Sequence, residues 1–172
     1  MGRSLITFRV EREIARLSDL ARLAERLAPL VASGGLVLLE GALGAGKTTL
    51  AKAIGQALGI SEGMSSPTFD LLHVHSLPGG LTVYHVDGYR LEAAEEWDVL
   101  DLPPQERPEV LILAEWGEAL VPDYPERLEI RIERQGDDRR RVTLIGIGER
   151  WARALRMWDD EGENNGISGD RI

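Results

Sequence analysis

One glycine-rich segment limits the fold of this chain more than any other feature. Residues 41–48 fit the pattern G-x-x-x-x-G-K-[ST] in full. In order they are Gly41, Ala42, Leu43, Gly44, Ala45, Gly46, Lys47 and Thr48. A continuous apolar run at residues 36–39 precedes them, and residues 47–58 predict a helix with Gly59 as its C-cap. A buried strand, a glycine loop and a helix in this order predict a phosphate-binding turn in an α/β protein.

The same loop carries the groups that would hold ATP and Mg²⁺. Glycines let the backbone curl so that successive N–H groups face phosphate oxygens, and the following helix adds its positive end. We expect Lys47 to reach the β- and γ-phosphates, the Thr48 hydroxyl to bind magnesium, and Thr49 to belong to the ATP-binding residues. Lys47 and Lys52 are the two lysines among 20 basic residues. Because the chain uses arginine nearly everywhere else, the lysine at position 47 indicates a place where a compact ammonium fits between phosphates and a planar guanidinium does not.

Two acidic residues at the ends of predicted strands are candidates for the metal and the hydrolytic water. Glu115 follows the apolar run of residues 110–114, and Asp87 follows residues 81–86. Ligands of open α/β sheets collect at the carboxyl ends of strands, so both acids can face the nucleotide. We assign Glu115 to the metal, usually through water, and Asp87 to the waters around the metal or to the attacking water. For either acid alone, the alternative is that it merely ends a strand.

Other polar and aromatic residues are less decisive. The loop at residues 65–69 is a candidate switch because the hydroxyls of Ser66 and Thr68 can reach a γ-phosphate, although composition alone favours a capped turn. Trp116 fits core packing, stacking on a ligand or a partner surface. We interpret the three histidines as ordinary strand residues and the run of three arginines as a solvated strand end rather than a phosphate or tRNA contact. These residues are His73, His75, His85, Arg139, Arg140 and Arg141.

The remaining pattern predicts a P-loop NTPase-like mixed sheet with flanking helices and an antiparallel C-terminal strand pair. Residues 5–10 predict an edge strand, and a helix capped at Ser18 or Asp19 follows it. A hairpin joins strands at 69–76 and 81–86, and a short helix covers 92–99. Residues 128–132 and 142–144 predict the half-exposed antiparallel pair, and 149–158 the last helix. We expect one ATPase domain over residues 1–158 and a disordered acidic tail over 159–172.

Composition limits the setting of this domain. A length of 172 residues suits one core, and the absence of cysteine excludes disulfides and thiolate chemistry. No apolar run reaches the roughly 18 residues of a membrane helix, so we expect a cytoplasmic protein without a membrane partner. The formal net charge of −9 argues against nucleic acid lying directly on this surface.

Four segments together resemble the TsaE (YjeE) family. They are residues 40–50, the run S-P-T-F at 66–69, the pattern H-x-D-x-Y-R-L at 85–91, and the pair Glu115-Trp116. Their order and spacing are similar to that family over about residues 24–144. By position, the resemblance implies that Thr48 and Glu115 bind magnesium, that Asp87 serves hydrolysis, and that Trp116 lies beside the site. Asp87, Lys47 and Glu115 are thus the predicted catalytic residues.

The resemblance also implies a role and partners. It implies a bacterial ATPase that works with TsaB and TsaD to make threonylcarbamoyladenosine in tRNA. TsaD would transfer the group to adenosine, and ATP turnover on the TsaE subunit would reset the complex. With its acidic charge, the chain would meet tRNA only indirectly through the other subunits.

Two alternatives stay open from the residues themselves. One is a small P-loop kinase for a metabolite, which would need an acceptor pocket and an arginine-bearing lid. The other is an assembly module gated by nucleotide, in which hydrolysis hardly matters. A GTPase is disfavoured because N-K-x-D does not occur, and an ABC ATPase because L-S-G-G-Q does not occur.

Overall fold

Seven strands and four α-helices form in the residues that the structure, a computed structural model, describes, namely 5–61, 71–103 and 106–162. The strands are β1 (Thr7–Ile14), β2 (Gly35–Glu40), β3 (Leu72–Ser76), β4 (Thr82–Asp87), β5 (Val110–Glu115), β6 (Arg127–Arg134) and β7 (Arg140–Ile147). The helices are α1 (Leu20–Val31), α2 (Lys47–Leu58), α3 (Ala94–Asp98) and α4 (Glu149–Gly162), with 3₁₀ turns at Leu17–Asp19 and Glu118–Leu120.

All seven strands join one mixed sheet in the order β1-β7-β6-β2-β5-β4-β3. β2 is parallel to both of its neighbours, β5 and β6, and β5 is parallel to β4. The strands at both edges are antiparallel: β3 pairs with β4, and β1 pairs with β7, which in turn pairs with β6. The carboxyl ends of β2, β4 and β5 therefore lie at the same edge of the sheet, where the glycine loop begins.

The alternation of side chains along β2 divides the core into two layers. Val37 and Leu39 pack with the apolar faces of α1, α2 and α4 in the larger cluster, while Leu36 and Leu38 face the opposite side. That side is closed by large side chains from α3 and from the loop regions after β5, which are Trp97, Leu120 and Tyr124. Because β2 is covered on both faces, polar and apolar residues do not alternate along it, and this explains the uninterrupted apolar run in the sequence.

The predicted fold class is confirmed, and several element bounds agree closely. α2 spans Lys47–Leu58 as predicted, and Gly59 caps it with φ of 106°. The predicted hairpin is present as β3 and β4, with paired residues from Leu72–Val86 to Ser76–Thr82. β1 is an edge strand, although it runs to Ile14 because β7 offers it eight paired positions. α3 is shorter than predicted, covering five residues.

One expectation is confirmed and one is corrected. The β6–β7 pair is antiparallel and half-exposed as predicted, with the apolar residues of β6 buried and Arg131 exposed. Glu129 and Thr143 depart from this alternation, since both are buried. α4 does not end at Trp158 but continues to Gly162, where Asp159 forms an ion pair with Arg12 of β1. The rest of the predicted tail, residues 163–172, lies outside the described residues.

Candidate functional site

The glycine loop connects the end of β2 to the start of α2, and two of its glycines are required by geometry. A Cβ at Gly41 would lie 2.5 Å from the carbonyl oxygen of Ile132, so no other residue fits so close to β6. Gly46 has φ of 120°, a conformation that side-chain-bearing residues rarely adopt. The loop therefore lies directly on the sheet while it turns into the helix.

A pocket of about 430 Å³ opens above this loop. Its lining brings together most of the residues predicted from the sequence. They are Leu43, Gly44, Gly46, Lys47, Thr48, Thr49, Asp87, Glu115 and Trp116, joined by Leu17 and Tyr89. Of the other predicted residues, Gly41 and Ala42 contact Lys47 through their carbonyl oxygens, and Ala45 is buried. Ser66 and Thr68 lie outside the described residues.

Lys47 lies across the base of the pocket with only 5% of its surface exposed. Its Nζ donates to the carbonyl oxygens of Gly41 and Ala42, the latter at 3.1 Å, and lies 4.2 Å from the centre of the Trp116 ring. Burial lowers the pKa of Lys47, and the nearby carboxylates of Glu115, Asp87 and Glu118 oppose that shift. The ammonium is thus held by uncharged acceptors, and negatively charged phosphate oxygens would make stronger contacts with it.

Glu115 is the centre of a buried hydrogen-bonded chain. Its Oε1 accepts from Oγ1 of Thr48 at 2.6 Å, and its Oε2 lies 2.7 Å from Nε2 of His85. Glu115 is 2% exposed and His85 is 0% exposed. Since a carboxylate only accepts, we assign the imidazole hydrogen to Nε2, which leaves the buried Nδ1 without a partner among the described residues.

This arrangement fits a small hard cation. The hydroxyl of Thr48 and the carboxylate of Glu115 are the oxygen ligands that Mg²⁺ prefers, and they lie together at the pocket wall. Mg²⁺ usually keeps several waters and takes few protein ligands, so two such groups beside a phosphate chain suffice. The described residues contain no group of three or more His, Asp or Glu side chains placed to bind a metal by themselves.

Asp87 stands beside Glu115 at the sheet edge, because the two residues are paired in the β4–β5 register. Its Oδ1 accepts from the backbone N–H of Tyr89 at 3.0 Å, which holds the side chain over the turn that follows β4. The side chain lines the pocket and is half-buried. A carboxylate so placed is available to accept a hydrogen bond from water in the pocket.

Trp116 and Tyr89 form the aromatic wall of the pocket. Their ring centres are 5.3 Å apart at an interplanar angle of 53°. Trp116 has φ of 55°, and non-glycine residues in this region store roughly 1–3 kcal/mol of strain, often at functional sites. The ring lies against the ammonium of Lys47, 4.2 Å from Nζ to the ring centre. Trp116 was expected to serve in core packing, in stacking on a ligand or in a partner surface, and its place in the pocket favours contact with a ligand.

The structure places two side chains in surroundings that the sequence did not predict. His85 is on a strand as expected, but it is bonded to Glu115; its position two residues before Asp87, on the same face of β4, was the available signal. Arg140 is 3% exposed rather than solvated, and its Nε donates to the carbonyl oxygen of Ala45 at 2.7 Å. Its neighbour Arg139 is exposed, as expected. The side chain of Arg140 is buried because it lies between the glycine loop and the β6–β7 turn, where it contacts Ala45 and Asp137.

Comparisons with known proteins agree with one another. A family model described as "Threonylcarbamoyl adenosine biosynthesis protein TsaE" matches residues 14–142. The chain is 45% identical to the tRNA threonylcarbamoyladenosine biosynthesis protein TsaE of Streptomyces coelicolor, with 77% of this chain and 93% of that protein covered. It is 38% identical to the protein of the same name from Bacillus subtilis, covering 75% and 80% respectively.

A solved structure has a similar fold. The crystal structure of YdiB from Bacillus subtilis superposes with a TM-score of 0.67 at 28% sequence identity, covering 91% of this chain and 97% of that one. No helix in the described part of this chain is both long and apolar enough to cross a bilayer.

Proposed function

The chain belongs to the TsaE family of threonylcarbamoyladenosine biosynthesis proteins, and from that membership we propose that it is a magnesium-dependent ATPase that serves this modification of tRNA together with TsaB and TsaD. The observation that carries the proposal is the hydrogen-bonded pair of Thr48 and Glu115, which lies beside the buried Lys47 where the glycine loop ends. The hydroxyl and the carboxylate suit a metal ion, and the ammonium suits the phosphate chain of a bound nucleotide.

Binding begins with the backbone. The N–H groups of Gly44 and Gly46 make no backbone hydrogen bond in the described residues, and both glycines line the pocket. Together with the free N–H groups at the start of α2, they form an anion-binding concavity. Lys47 exchanges its carbonyl partners for the β- and γ-phosphate oxygens. The aromatic wall of Tyr89 and Trp116 lies beside this concavity and limits the access of solvent.

The residues divide the hydrolytic work. Bound magnesium would neutralise phosphate charge, held by Thr48 and Glu115. Asp87 orients a water toward the γ-phosphorus; as the new P–O bond forms, the bond to the β–γ bridging oxygen breaks, and ADP and phosphate result. His85 keeps Glu115 in place, so that the carboxylate does not rotate into the core. Lys47 stabilises the negative charge that develops on the transferred group.

The lining of the pocket supports the proposed dependence on partners. Among the described residues that line it, Lys47 is the one cation. Fast phosphoryl transfer needs additional positive charge or a precisely ordered water, and proteins often obtain these from a partner at an interface. The chain alone is therefore expected to turn over slowly. In the complex, ATP hydrolysis would reset TsaD for another transfer, and the other subunits would hold the tRNA.

Steady-state phosphate release tests the proposal. It is measured for the chain alone, with TsaB, with TsaD and with both, at saturating ATP and magnesium. We expect a slow basal rate and at least a tenfold increase in the full mixture. A Lys47→Ala variant added to the same partners is the control for contaminating ATPases. Equal rates in all four mixtures would overturn partner dependence. If ATP labelled on its γ-phosphate is used, label found on an acceptor other than water would favour a kinase.

A further inference from the structure

Arg140 connects the nucleotide loop to a distant turn of the sheet. It is the first residue of β7, and its guanidinium is buried between the β6–β7 turn and the loop. Nε donates to the carbonyl oxygen of Ala45 at 2.7 Å. Nη1 donates to the carbonyl oxygens of Asp137 at 3.2 Å and Arg139 at 3.1 Å. One side chain therefore links backbone groups that are more than 90 residues apart in sequence.

The burial of this arginine is costly and is not offset by a carboxylate. None of the ion pairs among the described residues includes Arg140. A buried charge requires compensation, and here the compensation consists of three backbone carbonyl oxygens. Hydrogen bonds from a charged donor are about twice as strong as neutral ones, so each carbonyl is held firmly.

Peptide geometry gives this contact a consequence for the ligand. In a planar trans peptide the C=O and the following N–H point in opposite directions. When Arg140 holds the oxygen of Ala45 on the sheet side, the N–H of Gly46 is directed away from the sheet. Gly46 lines the pocket, and its N–H has no backbone acceptor in the described residues. Because glycine resists peptide rotation least, this peptide needs an external restraint.

We propose that Arg140 is a positioning residue for the nucleotide, which fixes the peptide between Ala45 and Gly46 so that the Gly46 N–H is directed at phosphate before ATP binds. The inference rests on the proposed ATP site. The same guanidinium couples that site to the β6–β7 turn, since both share its donors. Coupling of binding free energies is reciprocal, so nucleotide should restrain the turn as the turn restrains the loop.

The three consecutive arginines provide matched variants. Arg140→Gln removes the charge and shortens the side chain, so that it no longer reaches both the loop and the turn. Arg140→Lys keeps a charged donor of different shape, and Arg139→Gln removes an exposed neighbour of equal charge. Titration with a fluorescent ATP analogue measures affinity. We expect about a tenfold weaker affinity for Arg140→Gln, the effect of one charge-assisted hydrogen bond, an intermediate loss for Arg140→Lys and wild-type affinity for Arg139→Gln.

Hydrogen exchange provides a readout that does not depend on nucleotide binding. Without nucleotide, Arg140→Gln should speed amide exchange in peptides covering residues 41–50 and 135–139, but not in β5, whereas Arg139→Gln should leave both segments unchanged. With ATP, the wild-type turn should exchange more slowly, and Arg140→Gln should lose that response. Unchanged loop exchange together with unchanged affinity in a folded Arg140→Gln or Arg140→Lys variant would overturn the inference. If the wild type fails to bind nucleotide, the proposed function fails, and exchange without nucleotide still decides the role of Arg140.

Discussion

Replacement of His85 by leucine tests the buried chain that holds Glu115. Leucine fills a similar volume but donates no hydrogen bond, so Oε2 of Glu115 loses the partner now 2.7 Å away. Both residues are almost fully buried, so water cannot substitute without rearrangement. A hydrogen bond to a charged group contributes roughly 1.5–3 kcal/mol, and we expect His85→Leu to lower the free energy of unfolding by about that amount. This corresponds to an approximately 10- to 150-fold change in the ratio of folded to unfolded protein.

Urea unfolding followed by tryptophan fluorescence measures this change, and two further variants serve as controls. His85→Gln retains a donor on a flexible side chain and should recover much of the loss. His73→Leu alters the cross-strand neighbour of His85 on β3, whose side chain makes no hydrogen bond to Glu115. A positioning role also predicts that His85→Leu requires more magnesium for half-maximal nucleotide binding, whereas His73→Leu does not. Equal unfolding free energies and equal magnesium requirements for His85→Leu and His73→Leu would refute the reasoning.

Three other changes have defined outcomes. Lys47→Ala should weaken binding of a fluorescent ATP analogue at least about tenfold, since it removes the one cation of the described pocket lining, and wild-type affinity would sink the phosphate-binding assignment. Glu115→Gln should reduce hydrolysis in the partner complex far more than it reduces nucleotide binding measured in EDTA; normal hydrolysis would move the metal role elsewhere. Gly88→Ala should cost about 1–3 kcal/mol of stability by overpacking, because its Cβ would lie 2.3 Å from the ring of Trp97. Gly136→Ala meets nothing within 4 Å, and identical urea midpoints for these two glycine variants would contradict the packing argument.

The sequence predicted well what depends on local signals. The bounds of α2 agree because Gly46 and Gly59 punctuate the chain at both ends, each with positive φ. The strands β2 and β5 were recognisable from uninterrupted apolar runs. Asp87 and Glu115 were predicted to face the same ligand because each ends a strand, and the register places them side by side. In each case the pattern lies within a few residues of the feature it predicts.

What the sequence did not predict depends on pairings across the chain. Nothing near Arg140 indicates that the start of β7 lies against the glycine loop, 95 residues away, and without that contact the pattern predicts a solvated cation. The contact of His85 with Glu115 depends on the β4–β5 register, since the two residues are 30 positions apart. The bend of Trp116 into positive φ has no compositional signal, because tryptophan is not a residue that favours it.

The order of strands also has a consequence for how the protein is synthesised. The glycine loop follows β2, but the neighbouring strand β6 begins only at Arg127. Likewise β1 is made first and pairs with β7 near the end of the chain, where Thr7 pairs with Ile147. A nascent chain thus displays the complete motif long before the strands beside it exist. At about 5–20 residues per second, the ribosome needs on the order of 5–20 s to proceed from the loop to Arg140. During that interval the loop is present without β6 and β7 beside it, so the contacts that Ile132 and Arg140 make with the loop cannot yet form.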